Sequence, residues 1–388
     1  MSKVSVLILQ HTVSAYNIPM YELLSEMVNL TVGYTRKNES NKVLPFNVKK
    51  LKSYLIGPFV FVPCLHSFCS NFDVVIYMPD MHFISYIMLC FLKRKYKLIS
   101  WSIGIRASYS LRYDLDRPMT LLDRCFKLLL KKSDANIFYM KEPIAKWSHC
   151  GIDKSKLFVA HNTVAVNSIE IDSSFKKTIL FVGSLYKEKK VDELIEAYET
   201  AFLEKGGEEG PILNIIGEGP EKVYLESLLK QKGLEKQIIL RGAIYDETVI
   251  AEYFKEALIC VSPDQAGLSV LKSMGYGVPF ITKKDAITGG EILNIENNKT
   301  GRLYQHRDEL VKILQEVAEF PQKYIEMGIL AMEYYKQNAS ISQMVQGFYD
   351  AISFVQIDNQ WKKCLNVLVL FVRRANIRVK TIMWICLF

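Results

Sequence analysis

The chain has 388 residues, 49% apolar and 23% charged, with a formal net charge of +8. That length exceeds one ordinary core and predicts two α/β domains with a cleft between them, and the composition excludes a largely disordered chain. The eight cysteines are scattered and partly inside apolar runs, which argues against a disulfide framework, and no run reaches the roughly 18 apolar residues of a spanning helix.

The first apolar run, residues 4–9, has no small-residue cleavage signal behind it and reads as a core strand of a protein that stays in the cytoplasm. Short apolar runs and helical patterns then alternate over residues 18–27, 30–34, 73–77, 82–92, 97–101, 120–131, 135–139, 144–150 and 157–160. Such alternation predicts a parallel sheet covered by helices. The second half repeats it, with strands at 178–182, 212–216, 237–240, 258–261 and 279–282, and helices at 191–203, 220–232, 247–254 and 268–276. Both halves are Rossmann-like. The polar stretch 161–177 is the best linker, giving domains at 1–165 and 166–340, a helix at 341–357 that returns to the first domain, and a tail at 358–388. The last 28 residues hold six cations and no acid, so most of the net charge belongs to the tail. Its apolar blocks, 365–372 and 381–388, flank the basic segment 373–380. This pattern suits peripheral contact with an anionic membrane, the alternative being a segment packed on the body or on a partner.

Residues 261–281 read as a strand end, a polar loop Asp264-Gln265-Ala266-Gly267, a helix start at Leu268-Ser269, and a Gly-x-Pro lead into another strand. Unpaired N–H groups at a helix start favour an anion, and Gly267 lets it approach the backbone. In this order the motifs resemble the donor site of family four glycosyltransferases of the GT-B fold, over about residues 177–305.

That resemblance implies roles residue by residue. Gly183-Ser184 and Lys189 fall where the family binds the donor diphosphate, with Ser184 at its arginine position and Lys190 at its glycine position. Gly217-Glu218-Gly219-Pro220 matches the turn beneath the nucleotide, Arg241 a position near the base, and Glu291 a further position near the nucleotide. The first acid of the family's carboxylate pair falls on Asp264, next to the transferred sugar; the second falls on Lys272, which cannot accept hydrogen bonds from ribose and is left to pair with a phosphate or with Asp264. Asp264 and Lys189 are therefore the expected catalytic groups.

The first domain is less diagnostic. Tyr16, in Tyr16-Asn-Ile-Pro-Met-Tyr21, looks like an acceptor-loop residue of bacterial surface-polysaccharide transferases. The stretch from Lys97 to Arg106 resembles the strand and loop that often carries Trp-Gly-His-Gly, with Ile103 in place of the histidine; Trp101 and Arg106 are its expected acceptor contacts. Asp114-Leu-Asp116 reads as a solvated turn rather than a metal-holding Asp-x-Asp, and Cys64, His66 and Cys69 lack a fourth ligand, so no metal site is expected. The lysines and arginines at 93–97 and 124–132 sit on amphipathic patterns and fit a membrane face better than nucleic acid.

The resemblance implies a retaining transferase that moves a sugar from a nucleotide-diphosphate donor to a lipid-linked saccharide in surface polysaccharide synthesis, at the inner face of the cell membrane and without a further cofactor. A nucleotide-sugar epimerase and a non-catalytic nucleotide-sugar-binding partner subunit are the other readings.

Overall fold

The computed structural model describes residues 3–374 except 41, 108–111, 168–172 and 204–209, with the backbone alone for 173 and 358–374. The first sheet is built from β1 (Ser5–Val13), β2 (Asn29–Asn38) and β3 (Asn47–Lys50), then, beyond a small antiparallel hairpin of β4 (Tyr54–Ile56) and β5 (Phe59–Phe61), from β6 (Val74–Tyr77), β7 (Lys97–Ser102), β8 (Ala135–Phe138) and β9 (Leu157–Val159). Its seven strands run parallel in the order β3-β2-β1-β6-β7-β8-β9. β6 and β8 are buried along their whole length, the continuous apolar signature of a sheet covered on both faces.

The second sheet contains β10 (Thr178–Val182), β11 (Ile212–Ile216), β12 (Ile238–Gly242), β13 (Ala257–Val261), β14 (Phe280–Lys283) and β15 (Gly301–Tyr304). These six are also parallel, ordered β12-β11-β10-β13-β14-β15. In each sheet the order reverses beside the first strand, which is where an open α/β sheet leaves a crevice at its carboxyl ends.

Residues 161–177 carry no strand or α-helix among those described, so they connect the sheets as an irregular segment. The helix Pro321–Tyr334 packs into the second domain through Tyr324, Ile325 and Met327. After a π-helical turn, Tyr335–Ala339, the chain enters the helix Ile341–Arg374. Met344, Val345, Phe348, Ala351, Ile352 and Val355 of that helix lie in one buried cluster with Val6, Ile8, Ile99 and Trp101 of the first sheet. The returning helix thus forms one wall of the first core, and it continues 17 residues past the boundary at 357 read from sequence, into the segment taken as tail. The tail beyond 374 lies outside the described residues. Among the described residues no helix is long and apolar enough to cross a membrane.

Several elements are absent from the sequence reading: β3, the β4–β5 hairpin, β15 and the helix Arg307–Glu319. The helical pattern read over 82–92 contracts to Ile84–Met88, because the segment on either side is held by turns and by β5 rather than by its own period.

Candidate active site

Both crevices open at the carboxyl ends of their strands, and several contacts join them across the cleft. Arg112 donates from Nη1 to the carbonyl of Asp285 at 2.7 Å and holds Nη2 3.9 Å from the Asp264 carboxylate. Asn162 donates to Glu291 at 3.0 Å, and Asn294 reaches the Met140 sulfur at 3.7 Å. The loop read as a solvated Asp-x-Asp turn therefore matters through a residue the sequence reading passed over. Asp114 accepts from the Asp116 amide at 2.9 Å, a contact within its own turn, whereas Arg112 meets the second domain.

On the donor side, β10 and β11 end in turns that touch. A Cβ on Gly217 would lie 1.9 Å from the Gly183 carbonyl oxygen, so only glycine lets these turns close. Their amides are used internally: Gly183 donates to Ile216 and Leu185 to Glu218, at 3.0 and 2.8 Å. Ser184 is exposed at the lip of the turn. Glu218 is engaged with Lys222 at 2.6 Å on the helix that follows.

Lys189 is the distinctive group. Its side chain is 7% exposed, its ammonium abuts Gly183, and it stands 5.8 Å from the Tyr186 ring centroid. Burial lowers its pKa to about 8. The second buried lysine shows what a structural role looks like: Lys176, also lowered to about 8 by burial, donates to the Ala257 carbonyl at 2.9 Å. Among the described residues Lys189 has no such carbonyl and no acidic partner within ion-pair distance.

The next residue, Lys190, adopts φ 54, ψ 43, so the position where the resemblance calls for glycine is left-handed here too. A side chain there costs about 1 kcal/mol. Lys190→Gly is expected to keep the site and to change stability by at most about +1 kcal/mol after the added freedom of the unfolded chain is subtracted. A urea titration of variant and parent reads this directly, and a loss of more than about 1 kcal/mol would mean that the Lys190 side chain is itself needed.

Asp264 has a side chain 16% exposed, and burial pushes its carboxyl up against the pull of Arg112 and Lys283. Gln265 accepts from the Tyr186 hydroxyl, which fastens this loop to the turn that carries Lys189. Nothing lies within 4 Å of a Cβ built on Gly267, so the approach over the loop is open. Leu268 caps the short helix Ser269–Gly275, where Ser269 Oγ is buried without a partner. Glu291 is 6% exposed and held by the Gly289 amide at 2.8 Å as well as by Asn162, which makes it part of the domain junction.

Two residues expected at the donor already have protein partners. Lys272 does not pair with Asp264; it forms an ion pair with Glu247 at 2.7 Å, and Tyr276 donates to the same carboxylate at 2.5 Å. Arg241 donates to Asn214 at 2.9 Å and lies over the Tyr253 ring at 5.7 Å. Both partners are distant in sequence, and no spacing rule announces them.

In the first domain a cavity of about 630 Å³ lies at the ends of β6, β7 and β8, lined by Met81, His82, Ile105, Arg106, Phe126 and Tyr139 among others. Trp101 forms part of its wall but is 1% exposed, with its ring edge-on to Phe348 at 4.9 Å, so its main part is in the core beneath the returning helix. Arg106 faces the cavity with partial neutralisation by Asp123 at 3.9 Å. Tyr16, 41% exposed, follows β1 on the 3₁₀ turn Ala15–Asn17.

Two parallel sheets joined by a short linker and a returning helix, with ligand crevices facing each other, constitute the GT-B glycosyltransferase fold. Residues 176–320, most of the second domain, match the family described as glycosyl transferases group 1. The chain is 26% identical over 148 residues to the alpha-monoglucosyldiacylglycerol synthase of Acholeplasma laidlawii, covering 37% of this chain and 35% of that protein. It is 24% identical over 260 residues to protein CapJ of Staphylococcus aureus, covering 65% of this chain and 61% of that protein. The chain thus spans about a third and about three fifths of these relatives. The structure of Anabaena Alr3699/HepE in complex with UDP superposes with a TM-score of 0.65 at 14% identity, over 90% of this chain and 99% of that one.

Proposed function

We propose that the protein is a retaining glycosyltransferase that moves a sugar from a nucleoside-diphosphate donor to a lipid-linked saccharide of the cell surface, at the inner face of the membrane. One observation carries the reading: Lys189, a largely buried residue whose ammonium lies beside Gly183 at the strand ends, has no acidic partner among the described residues. A buried cation without a partner is costly in the empty protein and becomes favourable once a diphosphate supplies the counter-charge. As the bond from the anomeric carbon to the diphosphate oxygen breaks, negative charge grows on the leaving group, where Lys189 and the open backbone at Gly267 lie. Asp264, on the loop fastened by Tyr186, orients the sugar, and Arg112 brings the first domain to that carboxylate. The acceptor hydroxyl then approaches from the cavity side of the cleft. The UDP in the similar Anabaena structure and the glycolipid product in the name of the Acholeplasma relative support a nucleotide donor and a lipid-borne acceptor. The basic tail is assigned to the membrane on its sequence pattern.

The decisive variant is Asp264→Asn. Transfer, followed as glycoside formation from a panel of nucleotide sugars, is expected to fall at least about 100-fold in kcat, with the donor KM changed only a few-fold. An unchanged kcat removes Asp264 from the mechanism. The panel is first narrowed by thermal shifts with UDP, GDP, ADP and CMP, since saturation at 100 times Kd adds about 2.7 kcal/mol.

A further inference from the structure

The β4–β5 hairpin has no counterpart in the donor or acceptor chemistry, and its surface is unusual for a protein in water. Tyr54, Leu55, Ile56 and Phe59 are 48%, 79%, 59% and 39% exposed, and Gly57 and Pro58 between them are exposed as well. Six consecutive residues without a charge thus form a tip that faces solvent, closed by Gly57 at φ 58 and Pro58. Runs of exposed apolar residues of this length mark an interaction surface. Lysines lead into the tip: Lys49, Lys50 and Lys52 are exposed, and Lys52 Nζ lies over the Tyr54 ring at 5.3 Å. Between Glu39 and Asp73 the sequence contains no acid at all.

The hairpin is not an isolated finger. The Val60 amide donates to the His82 carbonyl, and the Val62 amide to Ser85 Oγ, both at 2.7 Å. The segment gripped in this way continues into Met88, Phe91 and Leu92, which are 45%, 55% and 39% exposed, and into the exposed Lys93 and Lys95. Arg94 then bonds the Lys132 carbonyl at 2.8 Å and pairs with Asp134 at 3.1 Å, and Lys131 and Lys132 are exposed at that helix end. Apolar tips with a cationic rim therefore recur along one connected part of the first domain.

We infer that this surface, led by the Tyr54–Phe59 tip, seats the protein on an anionic lipid bilayer, with the apolar side chains below the headgroups and the lysines among them. Charge decides between a bilayer and a second copy of the chain. Arg94 is already paired with Asp134 at 3.1 Å, but no acid lies between Glu39 and Asp73, so self-association through the tip would oppose Lys49, Lys50 and Lys52 to one another, whereas anionic headgroups complement them. The inference requires no sugar transfer and is independent of the tail. It also has a geometric consequence, since His82, which holds β5, lines the acceptor-side cavity. Docking by the hairpin places the cavity beside the bilayer from which a lipid-borne acceptor would be drawn.

The test compares the full chain with its Leu55→Asp/Ile56→Asp variant in sedimentation with vesicles of phosphatidylglycerol and phosphatidylcholine. Both proteins keep the tail, so any difference belongs to the hairpin. Because both side chains are exposed, equal thermal midpoints are expected, and the apparent affinity for the vesicles is expected to fall at least about tenfold. Binding equal to the parent overturns the proposal. A second measurement reads insertion itself: Tyr54→Trp should gain fluorescence that brominated acyl chains quench, and added emission that they leave unquenched also overturns it. Sedimentation velocity without lipid supplies the last arm. A parent that dimerises and an aspartate variant that does not would assign the face to a second copy instead.

Discussion

Lys189→Met is expected to make the ligand-free protein more stable while removing most of its affinity for a nucleoside diphosphate. Lowering this ammonium from the ordinary 10.5 to about 8 corresponds to roughly 3 kcal/mol against the charged form at neutral pH. Methionine retains the stem's packing and removes the charge, so a gain of about 1 to 3 kcal/mol follows. The sign with pH is fixed by the direction of the shift. The folded lysine releases its proton near 8 and the unfolded one near 10.5, so between these values the unfolded chain binds more protons and the parent gains stability as pH rises. The advantage of the methionine variant is therefore largest below pH 8 and shrinks through that window. Urea titrations at pH 7 and pH 10 measure it, and calorimetry with UDP should show binding weaker by about 10- to 100-fold. A variant less stable than the parent at pH 7 would show that Lys189 is a structural cation like Lys176.

Gly347→Ala is expected to destabilise the protein by about 3 kcal/mol, although helix propensity alone predicts a gain of about 1 kcal/mol at an interior glycine. The contradiction is useful because it isolates packing. A Cβ at 347 would lie 2.0 Å from the Val159 carbonyl oxygen and 3.0 Å from the Ala160 Cα. Those atoms cannot yield cheaply, since β9 is paired with β8 from Leu157 to Val159. The returning helix would instead be lifted from the first sheet, loosening Phe348 from Trp101. The urea midpoint reads the cost, and a stabilised variant would mean that the helix does not seat this closely.

How much of this was legible in the sequence depends on the range of the interaction concerned. Apolar runs at strand spacing located both sheets, and the second-domain motifs located the Gly183, Gly217 and Asp264 turns, because strand, turn and helix start are neighbours in the chain. Lys190 was legible as a glycine position from its place after Lys189, and it is left-handed in the structure. The partner of Lys272 was not legible: Glu247 begins another helix, and nothing local to either residue specifies the pair. Arg112 was hidden in a loop whose aspartates drew attention, and its contacts lie in the other domain. The β4–β5 hairpin escaped because its strands are three residues long and carry no buried-exposed alternation along β4.

The returning helix has a consequence for the order of events at the ribosome. The first sheet is translated first, yet Met344, Val345, Phe348 and Ile352, which cover its core, are made only after the whole second domain. At about 5 to 20 residues per second, the interval between β9 and this helix is on the order of 10 to 40 seconds. Throughout that time the nascent first domain exposes the apolar patch the helix will later cover, and it is a natural client for a chaperone. The second domain, whose sheet and covering helices are contiguous in the chain, is under no such delay and is the half expected to reach its final packing first.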